Sequence, residues 1–174
     1  MQNFKRFLIT IFFLTYTVNQ SFSDAPYFVD FKYILNESKA GKEAQDYLKK
    51  KLNDGIKNLK KKEKSIQEEE KKIIQQKKVI SAEEYKKKVT DLRGKVSSLQ
   101  KERNKLLDTV AKQRATAKKE LLKNLNPIMS DYMKENKIRM IVDKKSILLA
   151  DESLNLTEEI IKILNKKLKS IKLN

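Results

Sequence analysis

The sequence has 174 residues and carries 40 lysines and arginines against 23 aspartates and glutamates, a net charge of +17, with no cysteine and no histidine. Those two absences exclude disulfide frameworks, thiol catalysis, soft metal sites and the commonest general base. The three glycines, Gly41, Gly55 and Gly94, lie too far apart for a phosphate-cradling loop, and no carboxylate pair stands out from the surrounding charge, so no enzyme, metal or cofactor is expected.

The first 23 residues read as a secretory signal peptide. Lys5 and Arg6 precede a 12-residue apolar run, Phe7 to Val18, and Ser21 and Ser23 place small side chains before a cut at Asp24. The run is short for a membrane span of about 20 residues. Cleavage removes two positive charges and no acidic ones, so +17 becomes +15. Such an excess calls for an acidic partner, either a protein or an anionic lipid surface, since export removes nucleic acid from consideration.

Tyr27-Phe28-Val29-Asp30-Phe31 is aromatic and β-branched and predicts a strand. From Lys42 to Asn126 there is no proline, and the lysine-, glutamate- and leucine-rich composition predicts long helices. In the second half of this stretch Tyr85, Val89, Leu92, Val96, Leu99, Leu106 and Val110 follow alternating steps of four and three, with Arg103 and Gln113 as polar exceptions. That spacing predicts a coiled-coil seam. The first half repeats it more thinly, with Leu52, Leu59, Ile66 and Ile73 seven apart and Glu63 and Glu70 at alternate seam positions.

Ser81, with Glu84 three residues later, is a capping box that starts a new helix, so the chain is expected to reverse near 79–81. Folding back there sets Ile66 near Leu92 and Val96, and Leu59 near Leu99. The arm, residues 42–126, carries most of the charge: over 42–125 there are 26 basic and 13 acidic residues, a net +13. Its clusters Lys49-Lys50-Lys51, Lys60-Lys61-Lys62 and Lys86-Lys87-Lys88 are candidate binding surfaces, represented by Lys50, Lys61 and Lys87 as a group. The scarcity of arm aromatics, Tyr47 and Tyr85 only, argues against base stacking.

Beyond the arm, Ile138 to Val142 predicts a second strand and Ser146 to Ala150 a third, paired as an antiparallel hairpin. Thr157 is expected to cap a last helix that opens with Glu158-Glu159. Residues 24–41 and 127–174 thus form a small β-containing body, too small to supply a core of its own. Pooling strands between copies solves this, which makes Phe28, Val29, Ile141, Val142 and Leu148 candidate oligomerisation residues. The fold class is α+β, mostly α: a small shared β body bearing a long antiparallel helical hairpin.

This order of elements, with Tyr27-Phe28-Val29-Asp30, then Leu35-Asn36-Glu37-Ser38-Lys39-Ala40-Gly41-Lys42, and finally Ile141-Val142-Asp143 and Leu156-Thr157-Glu158-Glu159-Ile160-Ile161, resembles the Skp (OmpH-like) family over the whole mature chain. The resemblance implies a periplasmic homotrimer with three arms around a cavity. It also implies an ATP-independent holdase for unfolded outer-membrane proteins. A lipopolysaccharide-binding role attached to some family members finds no ordered motif here. The other readings of the same residues are a tethering coiled-coil protein of the envelope and a binder of anionic lipid.

Overall fold

The structure is a computed structural model that describes residues 25–173; the signal-peptide reading of residues 1–23 falls outside the described residues. Strand β1, Tyr27–Val29, is followed by helix α1, Phe31–Glu37, helix α2, Lys39–Gln76, and helix α3, Ala82–Glu135. Strand β2, Ile141–Asp143, two 3₁₀ turns at Lys144–Ser146 and Glu152–Leu154, and helix α4, Thr157–Lys167, complete the order.

Capping residues decide where the helices begin. β1 ends at Val29 because Asp30 turns the chain, its Oδ1 accepting from the Tyr33 N–H at 2.8 Å, so Phe31 opens a helix instead of extending the strand. Ser38, fully buried, caps α2 by accepting from the Gly41 N–H. At the far end of the hairpin Ser81 Oγ accepts from the Glu84 N–H at 3.1 Å, with Glu83 and Glu84 in the first turn of α3. The chain passes from one helix to the other between Gln76 and Ala82. At 38 and 54 residues, α2 and α3 are about 57 and 81 Å long at 1.5 Å per residue.

α3 does not end before Pro127, where the expected arm stops. It continues to Glu135, with Pro127 on the exposed side and Leu125 and Ile128 buried on the other. A proline costs a helix one ladder bond, and the buried flank outweighs that loss. Ile138 then donates back to the Met133 carbonyl at 2.8 Å while Lys137 takes a left-handed φ of 55°, a Schellman-type stop filled by a lysine.

The core sits where the lower part of α3 meets β1, α1 and α4. Val29, Ile34, Ala40, Leu121, Leu125, Ile128, Leu156, Ile160, Ile161 and Leu164 form one buried cluster. β1 and β2 pair in parallel, in the register Tyr27 to Ile141, Phe28 to Val142 and Val29 to Asp143. The opposite edge of β1 is used by the chain before α4: the Leu156 N–H donates to the Phe28 carbonyl at 2.9 Å.

The expected hairpin between the second and third strands does not form within the described residues. Asp143, predicted as its loop, is a strand residue of β2, and its carboxylate accepts from the Lys145 N–H, winding Lys144–Ser146 into a 3₁₀ turn. Asp151 caps a second turn eight residues on. Between these two turns Leu148 and Leu149 stand at 106% and 93% exposure.

Thr157 also plays a different part from the one expected. It is the first residue of α4, and the Asn155 side-chain oxygen accepts from both its N–H and its hydroxyl, at 3.1 and 2.6 Å. Its buried Oγ1 in turn accepts from the Asp30 N–H at 2.9 Å. The residue ties the start of α4 to the end of β1.

Candidate functional site

The arm presents its lysines in a regular way. In each Lys-Lys-Lys cluster the third member turns toward the other helix or its own. Lys51 donates to Gln113 at 3.0 Å, Lys62 pairs with Glu102 at 2.6 Å, and Lys88 donates to Gln76 at 3.2 Å with Glu84 3.6 Å away. Successive side chains are about 100° apart around a helix, so the middle lysines point elsewhere. Lys50, Lys61 and Lys87 are exposed and have no ionic partner among the described residues. They lie on three separate levels of the arm and form a distributed surface, not one cluster.

Two apolar side chains are added to this surface at the tip. Val79 and Ile74 are largely exposed beside Lys71, Lys72, Lys77 and Lys78. Sequence reasoning gave Val79 no role; the signal was an apolar pair, Val79-Ile80, placed in the reversal itself, where no seam can cover it.

The register of the hairpin is written in its polar pairs. Lys51–Gln113, Lys62–Glu102, Glu69–Lys95 and Gln76–Lys88 all carry residue numbers that add to 164. Leu59, expected against Leu99, therefore lies by Leu106, and Ile66 takes the place beside Leu99. The polar exceptions of the two seams also meet, Arg103 with Glu63 at 3.7 Å.

Burial along the seam is uneven. α2 buries Leu48, Leu59 and Ile73, whereas α3, despite its stronger heptad pattern, buries nothing before Val110. A two-helix hairpin covers each seam from one side only, and α2 offers Glu63 and Glu70 where the α3 seam needs apolar neighbours. Midway along the arm the helices consequently leave a groove of about 800 Å³ floored by Ile66 and Leu99, with Gly94 and Ser98 on its α3 wall. The pairs Lys62–Glu102 and Glu69–Lys95, each at 2.6 Å, cross it.

In the body, Phe28 and Val29 are buried, while Ile141 and Val142 are half-buried and Leu148 is fully in solvent. β1 and β2 bring the first four together; Leu148 is not joined to them. Near the arm base, Glu37 holds the Lys42 ammonium above the usual lysine range, chiefly by a hydrogen bond and then by its charge. Burial raises the Tyr132 phenol. Among the described residues no cluster of His, Cys, Asp or Glu could hold a metal ion, and no helix is long and apolar enough to cross a membrane.

A small apolar body that carries one long, basic helical hairpin defines an arm-bearing α+β protein. The chain belongs to the OmpH-like family, described as "Outer membrane protein (OmpH-like)", which matches residues 27–164. Its fold is similar to that of an OmpH-like protein from Caulobacter crescentus CB15, with a TM-score of 0.80 at 16% identity, over 86% of this chain and 90% of the other. No curated protein matches the sequence.

Proposed function

We propose that this protein is an ATP-independent holdase of the periplasm that binds unfolded outer-membrane proteins between basic helical arms and prevents their aggregation. Membership of the OmpH-like family supports a chaperone role, and the Caulobacter crescentus relative in fold bears the name of an outer membrane chaperone. The observation that carries the reading is the arm itself. It combines exposed, unpartnered lysines at Lys50, Lys61 and Lys87 with scattered exposed apolar side chains such as Ile74 and Val79. Long-range charge gathers acidic unfolded chains, and small separated apolar contacts hold many sequences without demanding one.

Assembly completes the proposal. Three copies would pool their strands in one body, setting the three arms around a cavity. The 147–150 segment, with Leu148 in solvent, and the outer edge of β2, unpaired among the described residues, supply apolar surface and backbone groups for a neighbouring copy. Phe28, Val29, Ile141 and Val142 hold the strand pair that this edge belongs to.

The test is suppression of aggregation of an unfolded outer-membrane protein without nucleotide, joined to stopped-flow association. Exposed charges are screened over about 10 Å at 0.1 M salt and about 3 Å at 1 M, so association should slow steeply as salt rises. Release should change far less, because salt does not weaken apolar burial. Replacing Lys50, Lys61 and Lys87 together by glutamate should reproduce the effect of high salt with helix content intact. An association rate indifferent to both would reduce the basic arms to a solubilising surface.

A further inference from the structure

The three glycines all lie inside helices, where glycine costs about 1 kcal/mol relative to alanine. Packing explains two of them. A Cβ on Gly41 would collide with the Leu35 carbonyl oxygen, and one on Gly55 would sit 2.5 Å from a Leu106 methyl. Gly94 has no such reason: its φ is not positive, and a Cβ there would meet nothing within 4 Å. The empty space belongs to the mid-arm groove.

We infer that this groove is a binding slot for one short, extended, acidic and apolar segment of an unfolded polypeptide, which Gly94 keeps open. The inference rests on the holdase reading and gives it a site within a single arm. The groove is lined on α3 from Lys88 to Glu102, about 21 Å of helix, which matches about six extended residues at 3.3 Å each. Its floor of Ile66 and Leu99 accepts apolar side chains on one face of such a segment. Ser65 and Ser98 offer hydroxyls to its backbone, and the Thr90 hydroxyl, which donates to the Lys86 carbonyl, can accept from it.

Charge selects the occupant. Lys62 and Lys95 cross the groove to Glu102 and Glu69 through exposed pairs. Exposed pairs of this kind are worth only about 0–1 kcal/mol, so a carboxylate on the incoming segment can replace a glutamate at little cost. The lining balances Lys62, Lys88 and Lys95 against Glu69, Asp91 and Glu102. Next to it in sequence, the exposed Lys61, Arg93 and Lys101 outnumber Glu70 among groups with no ionic partner among the described residues, so the approach to the slot is net positive. An acidic segment is drawn in, and a basic one is repelled.

The absence of native cysteine makes the test clean. Ser98 lines the groove, whereas Ser97, about 100° round the helix, does not. A benzophenone attached at Ser98→Cys should cross-link a fluorescent peptide of alternating leucine and glutamate, and the same label at Ser97→Cys should capture much less. A leucine–lysine peptide should not be captured at either. Gly94→Leu fills the slot while favouring the helix, so it should weaken leucine–glutamate binding about tenfold, the loss of roughly one apolar contact, with no fall in helix content or melting temperature.

Equal capture at Ser97 and Ser98, or unchanged affinity in Gly94→Leu, overturns the slot. Aggregation suppression by the parent protein is read separately. A parent that protects an unfolded membrane protein yet shows equal capture refutes the slot alone. A parent that fails to protect but captures at Ser98 refutes the holdase reading alone.

Discussion

Alanine in place of each glycine perturbs the same chemical group in three surroundings, and the structure assigns each a different result. In an unobstructed helix interior the change stabilises by about 1 kcal/mol, because glycine forfeits more chain entropy and alanine does not. Gly94→Ala should return that full gain, since its new methyl meets open space. At Gly55 the methyl strikes the two Leu106 methyls at 2.5 and 2.7 Å. Those are the far end of a flexible, partly exposed side chain, so overpacking of about 1 kcal/mol cancels the propensity and the net change is near zero. Adding Leu106→Ala removes the obstacle, and Gly55→Ala should then stabilise by about 1 kcal/mol. At Gly41 the obstacles are the Leu35 carbonyl and the capping hydroxyl of Ser38, 2.8 Å from the new carbon. Neither can step aside without opening the joint between α1 and α2. Overpacking of about 1–3 kcal/mol and loss of a cap of about 1 kcal/mol outweigh the propensity, for a net loss of about 1–3 kcal/mol. Urea denaturation followed by helical circular dichroism, at one fixed protein concentration because assembly shifts apparent stability, gives the order Gly94→Ala, then Gly55→Ala, then Gly41→Ala. Native-state hydrogen exchange localises the first two to the arm. Three equal shifts, or a Gly41→Ala protein as stable as its parent, would refute the reasoning.

Thr157→Val keeps the shape but leaves the half-buried Asp30 N–H without its acceptor, so stability should fall by about 1–2 kcal/mol, measured by urea denaturation. Lys137→Gly relieves a left-handed residue at the end of α3 and should stabilise by about 1 kcal/mol; a loss in thermal melting would contradict that. Leu148→Asp should shift the sedimentation profile toward monomer with little change in helix content, and an unchanged profile would remove the 147–150 segment from the subunit contact. The Asp151 carboxyl is held below the usual range by the Ser153 backbone N–H and then its side chain. A depressed carboxyl contributes above its unfolded pKa and is lost as pH falls through the folded one. Order in the turn Glu152–Leu154 should therefore fade on acidification, read by exchange of the Ser153 amide, and a pH-independent rate would deny the cap.

The features that depend only on neighbours along the chain are legible in the residues themselves. Helix caps are such features: Ser81 reads the same in the sequence and in the fold because its bond reaches only three residues ahead. So is the long helical hairpin, which follows from composition and heptad spacing over many residues. Charge is another, since exposed lysines need no partner to be located. What required the tertiary structure was every choice between locally equal alternatives. A seam with apolar residues seven apart reads alike after a shift of seven, so Leu59 could face Leu99 or Leu106. Pairs such as Lys62–Glu102 and Glu69–Lys95, which join residues far apart in sequence, settle it. The strand pattern at 146–150 was equally indifferent to context. Asp143 joins β2, and its carboxylate then winds the turn, so the apolar run that follows is left without a strand partner among the described residues. Thr157 looks like a cap in isolation, and only the arrival of Asp30 from the other end of the chain makes it a cross-link. The empty space at Gly94 is the same kind of fact: a glycine in a helix is visible in the sequence, but whether anything stands beside it is a property of the packed arm.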